Sequence, residues 1–329
     1  MAASAFTGCV MDDLPECPNE YALKIRFDRN MLYADAFATQ VKSIDVKVFD
    51  FDSGKQVYHF SDEGPGLADE SYLVSLPIPP GKYNILCWAG MAAGDSFGYT
   101  TRAGDELPEF SVILNDGAPE SVKRLDNLFH GLLTGVEFTD NNAAGSFEPQ
   151  IVTMPLTKDT NNINVMLHNL NGTPMDPDGY EMRISATNAE MDFRNSTAPS
   201  RRVRYSPWHV TPVSHVKPGI SGESTVQSAL AAEFSMSRLM VPDKEAGISG
   251  SRLEVVRKTD GVTIISIPLE SNLLLYRGQF HSQMTPQEFL DRQDDYQITF
   301  ILDVNNSWDR SAMIYINDWA TPPIQYQEW

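Results

Sequence analysis

Six histidines, three cysteines and 44 acidic residues are the side chains from which this sequence could assemble a reactive centre. The histidines are His59, His130, His168, His209, His215 and His281, and the closest pair, His209 and His215, is too widely spaced for one helical turn. No His-Glu-x-x-His, Gly-x-Ser-x-Gly, phosphate-cradling glycine loop or dinucleotide fingerprint is present. Asp294-Asp295 juxtaposes two carboxylates, but in so acidic a chain a solvated turn accounts for them without general acid–base chemistry. Asp303-Val304-Asn305-Asn306-Ser307-Trp308-Asp309 spaces its oxygen side chains like the first half of a calcium loop. Trp308 stands where that loop needs glycine and Ile314 where it needs a bidentate glutamate, so a hairpin turn is the better reading. Catalytic residues, a cofactor and a metal ion are therefore not expected.

The cysteines are Cys9, Cys17 and Cys87, an odd number at wide spacing, which is neither a disulfide framework nor a zinc pattern. Cys87 lies in an apolar run beside Trp88 and reads as a buried, inert thiol. A Cys17–Cys87 bridge stays open for an oxidising compartment. Phe6-Thr7-Gly8-Cys9 resembles the end of a bacterial lipoprotein signal, whose cysteine becomes the lipidated first residue of the mature chain. Such a signal also carries an apolar stretch of about 7–15 residues. Only Met1-Ala2-Ala3-Ser4-Ala5 precedes the tetrapeptide, so the expectation is a sequence that begins part-way through its signal. The acidic, proline-bearing residues that follow Cys9 read as a solvated tether.

The elements around these residues are strands. With 329 residues and 42% hydrophobic content the chain can bury a sizeable core, and its length favours two domains. A formal net charge of −19 repels phosphate backbones and argues against nucleic acid as a partner. No apolar run approaches the ~18 residues of a membrane-spanning helix. Tyr21, Leu23, Ile25 and Phe27 alternate with Ala22, Lys24 and Arg26, the period of a half-buried strand. Ile44–Val48 alternates in the same way, and further strand candidates are Lys55–Phe60, Tyr72–Leu76, Tyr83–Ala89, Phe110–Leu114, Leu132–Phe138 and Ile151–Leu156. In the second half they are Ile163–Leu167, Tyr180–Ala186, Ser235–Val241, Leu253–Arg257, Val262–Leu269 and Met313–Ile316, with Tyr296–Val304 the cleanest alternation. Asp52-Ser53-Gly54 and Thr259-Asp260-Gly261 are hairpin turns, and Pro79-Pro80-Gly81 reads as a tight antiparallel connection.

Helical signals are few. Val122, Leu125, Leu128, Phe129 and Leu132 have helical spacing, and Thr285-Pro286-Gln287-Glu288 is a capping box with proline at the first helical position. Many short strands between turn signals predict an all-β chain of two sandwiches, with a boundary near Lys158-Asp159-Thr160-Asn161-Asn162. Arg201-Arg202-Val203-Arg204-Tyr205-Ser206-Pro207-Trp208 admits two readings: a ligand surface, or a long surface loop with its aromatics folded back.

Several segments in order resemble one family. They are the lipobox-like Cys9, then Asp13-Leu14-Pro15-Glu16-Cys17-Pro18, the strand Tyr21–Phe27, Tyr33-Ala34-Asp35-Ala36-Phe37, and a strand ending Val48-Phe49-Asp50. Leu76-Pro77-Ile78-Pro79-Pro80-Gly81-Lys82-Tyr83, Trp88-Ala89-Gly90 and Leu156–Val165 follow. The chain thus resembles the FimB-like fimbrial anchor and minor-subunit proteins of Bacteroidales, relatives of the type V pilins. The resemblance implies two transthyretin-like, Greek-key β-sandwich domains, residues 20–158 and 159–329, after a signal remnant and tether over 1–19. It implies no enzyme, but a lipoprotein lipidated at Cys9 on the surface of the outer membrane, joined to fimbrial pilin subunits by strand exchange.

Two roles fit that resemblance, and a third comes from another class. The first is an anchor or terminator of a fimbrium, the second a polymerising stalk or tip subunit, and the third a surface lipoprotein whose Tyr205 and Trp208 stack on glycans. An anchor keeps its first strand, with Tyr21, Leu23, Ile25 and Phe27 in the core. In polymerising relatives proteolysis after a basic residue removes that strand, and Arg26 and Arg29 are the candidate cut sites here. Pro322-Pro323 should end the last sheet near Trp319. Beyond them Ile324 and Tyr326 alternate with Gln325 and Gln327 ahead of Trp329, a candidate donor strand for β-augmentation of a partner.

Overall fold

A computed structural model of the chain describes residues 20–92, 94–100, 105–115, 119–140, 149–169, 173–218, 224–309 and 312–324. The chain is all-β with few helices. The strands of the first half are β1 (Tyr21–Arg26), β2 (Ser43–Asp50), β3 (Gln56–Glu63), β4 (Val74–Ser75), β5 (Gly81–Ala89) and β6 (Phe97–Tyr99), followed by β7 (Ser111–Leu114), β8 (Glu120–Ser121), β9 (Phe129–Phe138), β10 (Gln150–Pro155) and β11 (Thr157–Lys158). After them come β12 (Thr160–Asn169), β13 (Tyr180–Ala186), β14 (Glu190–Asp192), β15 (Val203–Tyr205), β16 (His209–Pro218) and β17 (Ser224–Ser237). The last are β18 (Arg252–Arg257), β19 (Val262–Pro268), β20 (Asp295–Leu302), β21 (Ile314–Ile316) and β22 (Trp319–Thr321). Among the described residues the α-helices are α1 (Phe37–Gln40), α2 (Leu269–Phe280) and α3 (Pro286–Arg292).

The sheets run β10-β1-β4, β11-β9-β5-β2-β3, β16-β17-β12-β20-β21-β22, β19-β18-β13-β15-β8 and β14-β7-β6. One core, lined by Tyr21, Leu23, Ile25, Val46, Ile85 and Phe138, sits between the first two sheets and uses residues of the first half alone. The other gathers Phe49, Trp88 and Phe110 with residues of the second half such as Val165, Ile184, Phe234 and Phe300. Strands β7 and β8 pair with β14 and β15, so segments of the first half extend sheets of the second.

The hairpins at Asp52-Ser53-Gly54 and Thr259-Asp260-Gly261 form as expected, with Gly54 at φ 70° and Gly261 at φ 71°. Gly90 closes β5 at φ 95°, and a Cβ there would lie 1.9 Å from the Asn127 carbonyl oxygen. Only glycine permits that approach. Thr285 caps α3, its hydroxyl accepting from the Glu288 amide at 3.2 Å.

Three expectations are corrected. Residues 122–132 form no helix: Leu125 and Leu128 are buried in an extended approach to β9, and the Leu125 amide donates to Ser235 Oγ. Helical spacing arose there because an irregular segment buries side chains wherever it touches the core. Pro79-Pro80-Gly81 does not join a hairpin, since β4 pairs with β1 while β5 pairs with β2 and β9. Of the strand placed at Ser235–Val241 only Ser235–Ser237 is strand, the end of the longer β17; Arg238–Val241 is irregular, and the sequence reading missed the rest of β17, β16 and α2.

Candidate functional site

Strand β1 is the middle of its sheet. It runs parallel to β10 from Tyr21↔Gln150 to Arg26↔Pro155, and antiparallel to β4 at Ala22↔Ser75 and Leu23↔Val74. Its β10 edge is bonded along the whole strand and its β4 edge over the first half, Tyr21–Leu23. Tyr21, Leu23, Ile25 and Phe27 are at most 2% exposed. The Tyr21 ring packs against Phe138 at 4.6 Å and Phe27 meets Phe129 edge-on at 5.0 Å. The Tyr21 hydroxyl donates to the Thr139 carbonyl at 2.9 Å. Lys24 on the outer face caps the Glu70 and Tyr72 carbonyls.

The turn after β1 is held from two directions. Asp35 Oδ1 accepts the Phe27 and Phe37 amides at 2.9 and 3.1 Å, while Asn30 Nδ2 donates to the Phe27 and Ala34 carbonyls, each at 2.8 Å. From α3, Arg292 donates to the carbonyls of Asp28 (3.1 Å) and Asn30 (3.3 Å) and lies 4.5 Å over the Tyr33 ring. Tyr33 adopts φ 53°, a left-handed conformation a tyrosine rarely takes without such support. The two candidate cut sites differ. Arg26 has its carbonyl in the ladder, accepting the Leu156 amide at 2.7 Å, and its guanidinium between Asp28 and Asp35. Arg29 is exposed and bonds Thr157 Oγ1, at 3.4 Å.

The segment joining the two halves is polar and buried. Lys158 pairs with Asp294, and the Asp159 amide donates to the Leu128 carbonyl at 2.7 Å. Asp159 is fully buried, accepts from Asn195 Nδ2 at 2.8 Å and lies 3.7 Å from Arg238. Burial outweighs that guanidinium and pushes the carboxyl up to about 7. Arg238 gives its other donors to Asp291 at 2.7 and 2.9 Å and to the Asn195 carbonyl. Sequence reasoning missed this network because its members are more than thirty residues apart except at the junction.

At the other end, β22 pairs with β21 through Ile316↔Trp319 and stops at Thr321, just before the two prolines. Asn272 of α2, fully buried, then clasps Ile324: its Oδ1 accepts the Ile324 amide at 2.8 Å and its Nδ2 donates to the Ile324 carbonyl at 2.9 Å. Tyr326 and Trp329 of the expected donor strand lie outside the described residues, as do Cys9 and Cys17.

The groups weighed for chemistry are engaged in structure. Cys87 is fully buried and its thiol is pushed far up by desolvation. His130, held down at about 3 by burial, bonds the Phe193 carbonyl at 2.9 Å and packs edge-on against Trp88. Asp295 accepts from Asn162 at 2.7 Å. In the calcium-like loop Asp303 Oδ1 accepts the amides of Asn305 and Ser307, and the Arg257 guanidinium covers the Asn305 and Asn306 carbonyls at 2.9 and 3.1 Å. The loop is a turn closed by an arginine. Among the described residues no three metal-ligating side chains converge. Tyr205 is fully buried, its hydroxyl donating to Asn188 at 2.9 Å, which removes it as a glycan platform. Trp208, by contrast, lines a cleft with Arg124, Asn162, Asn164 and Gln297.

The comparisons with known proteins set this all-β chain among fimbrial and adhesin-like proteins. A family model described as fimbrillin-A associated anchor proteins Mfa1 and Mfa2 matches residues 14–322, and the chain belongs to that family. A protein described as a candidate adhesin from Bacteroides thetaiotaomicron VPI-5482 is 32% identical, with 94% of this chain and 100% of that chain covered and a TM-score of 0.83. A candidate polysaccharide-binding protein from the same organism is 25% identical over 93% of this chain and 98% of its own, with a TM-score of 0.73. The fimbrial anchor protein Mfa2 from Porphyromonas gingivalis, 17% identical, shares the fold at a TM-score of 0.66 over 93% of this chain and 100% of its own. No curated protein matches the chain.

Proposed function

We propose that this chain is a lipid-anchored, assembly-terminating component of a fimbrium at the outer membrane surface. The observation that carries the reading is the position of β1. A subunit that accepts a donor strand must have an open place in a sheet. Here that place is filled by the chain's own residues, bonded to β10 along the whole strand and to β4 over its first half, and followed by a turn that Arg292 ties to α3. Removing the strand would leave two rows of unpaired backbone groups and an open core. A stalk or tip role requires that removal, and Arg29 is the more accessible place to cut.

The remaining parts follow from that role. Two transthyretin-like Greek-key units, residues 20–158 and 159–329, meet at the buried Asp159. Cys9 carries the lipid, residues 10–19 form the tether, and several acyl chains on one cysteine give stable anchoring where a single chain gives only marginal binding. The protein joins its pilin partner by giving a strand from its tail, with Ile324, Tyr326 and Trp329 in the partner's groove and no enzymatic step. The Asn272 clasp on Ile324 is then a parking place that the tail leaves on assembly. Deletion of residues 322–329 tests this reading. Folding and membrane fractionation should persist while fimbriae appear in the medium; fimbriae that stay attached would overturn the donor role.

A further inference from the structure

The stretch Arg201–Trp208 was open to a ligand-surface reading, and the fold sorts its arginines. Arg201 pairs with Glu190 at 2.8 Å. Arg202 and Arg204 alternate with the buried Val203 and Tyr205, so they project from the opposite face of the sheet. The register sets Arg204 opposite Ser185 of β13 and Ser185 opposite Arg252 of β18. Two arginines thus stand two strands apart on one face, with backbones about 10 Å apart and a serine hydroxyl between them. With Arg202, Thr187 and Ser249 they line a cleft of about 490 Å³.

None of these three pairs with a carboxylate among the described residues. Among the described residues Arg26, Arg183, Arg201, Arg238, Arg257 and Arg292 each meet a carboxylate. Arg29 and Arg277 bond a hydroxyl and a carbonyl on neighbouring elements, and Arg124 and Arg194 lie over aromatic rings. Arg202 and Arg204 make no such contact, and Arg252 has only the Ser266 hydroxyl, at 2.9 Å. Among the described residues the acidic member of the lining is Glu120, opposite Arg204 in the parallel ladder, and it accepts from Ser206 at 2.7 Å. Among the described residues three guanidinium groups thus face the single carboxylate of Glu120 around this cleft.

We propose that this cleft binds an acidic saccharide through a carboxylate or sulfate group held by Arg202, Arg204 and Arg252. Guanidinium forks match such oxyanions in bidentate geometry. Ser185, Thr187 and Ser249 supply hydroxyls for the rest of a sugar. The site is separate from strand exchange and does not depend on it. The strongly negative surface elsewhere disfavours non-specific polyanion binding, so any binding reports the cleft.

The test is calorimetric titration of the full chain with oligogalacturonate, a heparin-derived tetrasaccharide, neutral maltotetraose and sodium sulfate, at low and at physiological salt. One or both acidic oligosaccharides should bind, more weakly at the higher salt, and maltotetraose should not. Arg202→Ala, Arg204→Ala and Arg252→Ala should each weaken binding by roughly tenfold or more, while Arg201→Ala leaves it unchanged. Arg202 and Arg204 are exposed, so those two variants carry the test even if Arg252→Ala unfolds. Failure of both acidic oligosaccharides to bind would overturn the proposal. So would equal binding of maltotetraose, undiminished affinity in the arginine variants, or sulfate binding as tightly as the saccharides, which marks an adventitious ion only.

Discussion

Truncating the first strand at its centre should destabilise the whole protein. Leu23 is fully buried and sits on β1 between Val152 of β10 and Val74 of β4, with strands fixed on both sides. Because neither neighbour can move inward without breaking its ladder, Leu23→Ala leaves most of its cavity open. The expected cost is about 3 kcal/mol, within the ~2–5 kcal/mol range for buried leucines. Lys24→Ala, on the outward face of the same strand, should cost under about 1 kcal/mol. Urea unfolding reads the difference as a lowered midpoint at unchanged slope. A second readout is tryptic cleavage after Arg26, whose carbonyl is in the ladder and which is cut only when β1 opens. A destabilisation of ~2 kcal/mol or more raises that open population at least about thirtyfold. A Leu23→Ala protein within about 0.5 kcal/mol of the parent, and cleaved at the parent rate, would refute the view that β1 belongs to the cooperative core.

Asp159 has a folded value of about 7, above its unfolded value of 3.8, so the stability it contributes is present below about pH 4 and lost as pH rises through 7. Unfolding curves should therefore show the parent losing stability relative to Asp159→Asn across that window; parallel curves would contradict it. His130, neutral down to about 3, acts with the opposite sign over pH 3 to 6.5, which is why the comparison must be with the variant and not with absolute stability. Asn272→Ala should release the two bonds on Ile324 and speed hydrogen exchange of its amide, measured by NMR; unchanged protection would mean the tail is held elsewhere. Thr285→Ala should cost about 1 kcal/mol by uncapping α3, read by thermal unfolding.

What the sequence disclosed and what it hid have physical causes. Tyr21, Leu23, Ile25 and Phe27 were legible because one face of β1 is buried and the other carries Lys24 and Arg26, which is period two in its plainest form. The cap at Thr285 was legible because its residues bond locally. Helix α2 was not: Pro268 at its start makes no side-chain cap, and the apolar run Ile264–Leu269 passes directly from β19 into it. Strand β17 hid because its Ala229, Ala231, Ala232 and Ser235 are small residues with little strand preference, and only its neighbours make it a strand. Long-range register was the least legible. The parallel pairing of β1 with β10 and the reach of Arg292 to Asn30 join positions more than a hundred residues apart, where periodicity carries no information. The Arg201–Trp208 stretch drew notice for its composition, but only the fold separates the paired Arg201 and buried Tyr205 from the unpartnered Arg202 and Arg204.

The most direct test of the anchor reading is to express the full-length precursor with Cys9→Ala and ask where fimbriae and protein are found. The account predicts that the variant leaves the outer membrane fraction, loses acyl labelling, and that fimbriae are shed into the medium. Fimbriae still fixed to the cell, with the variant still fractionating and labelling as an outer membrane lipoprotein, would contradict it.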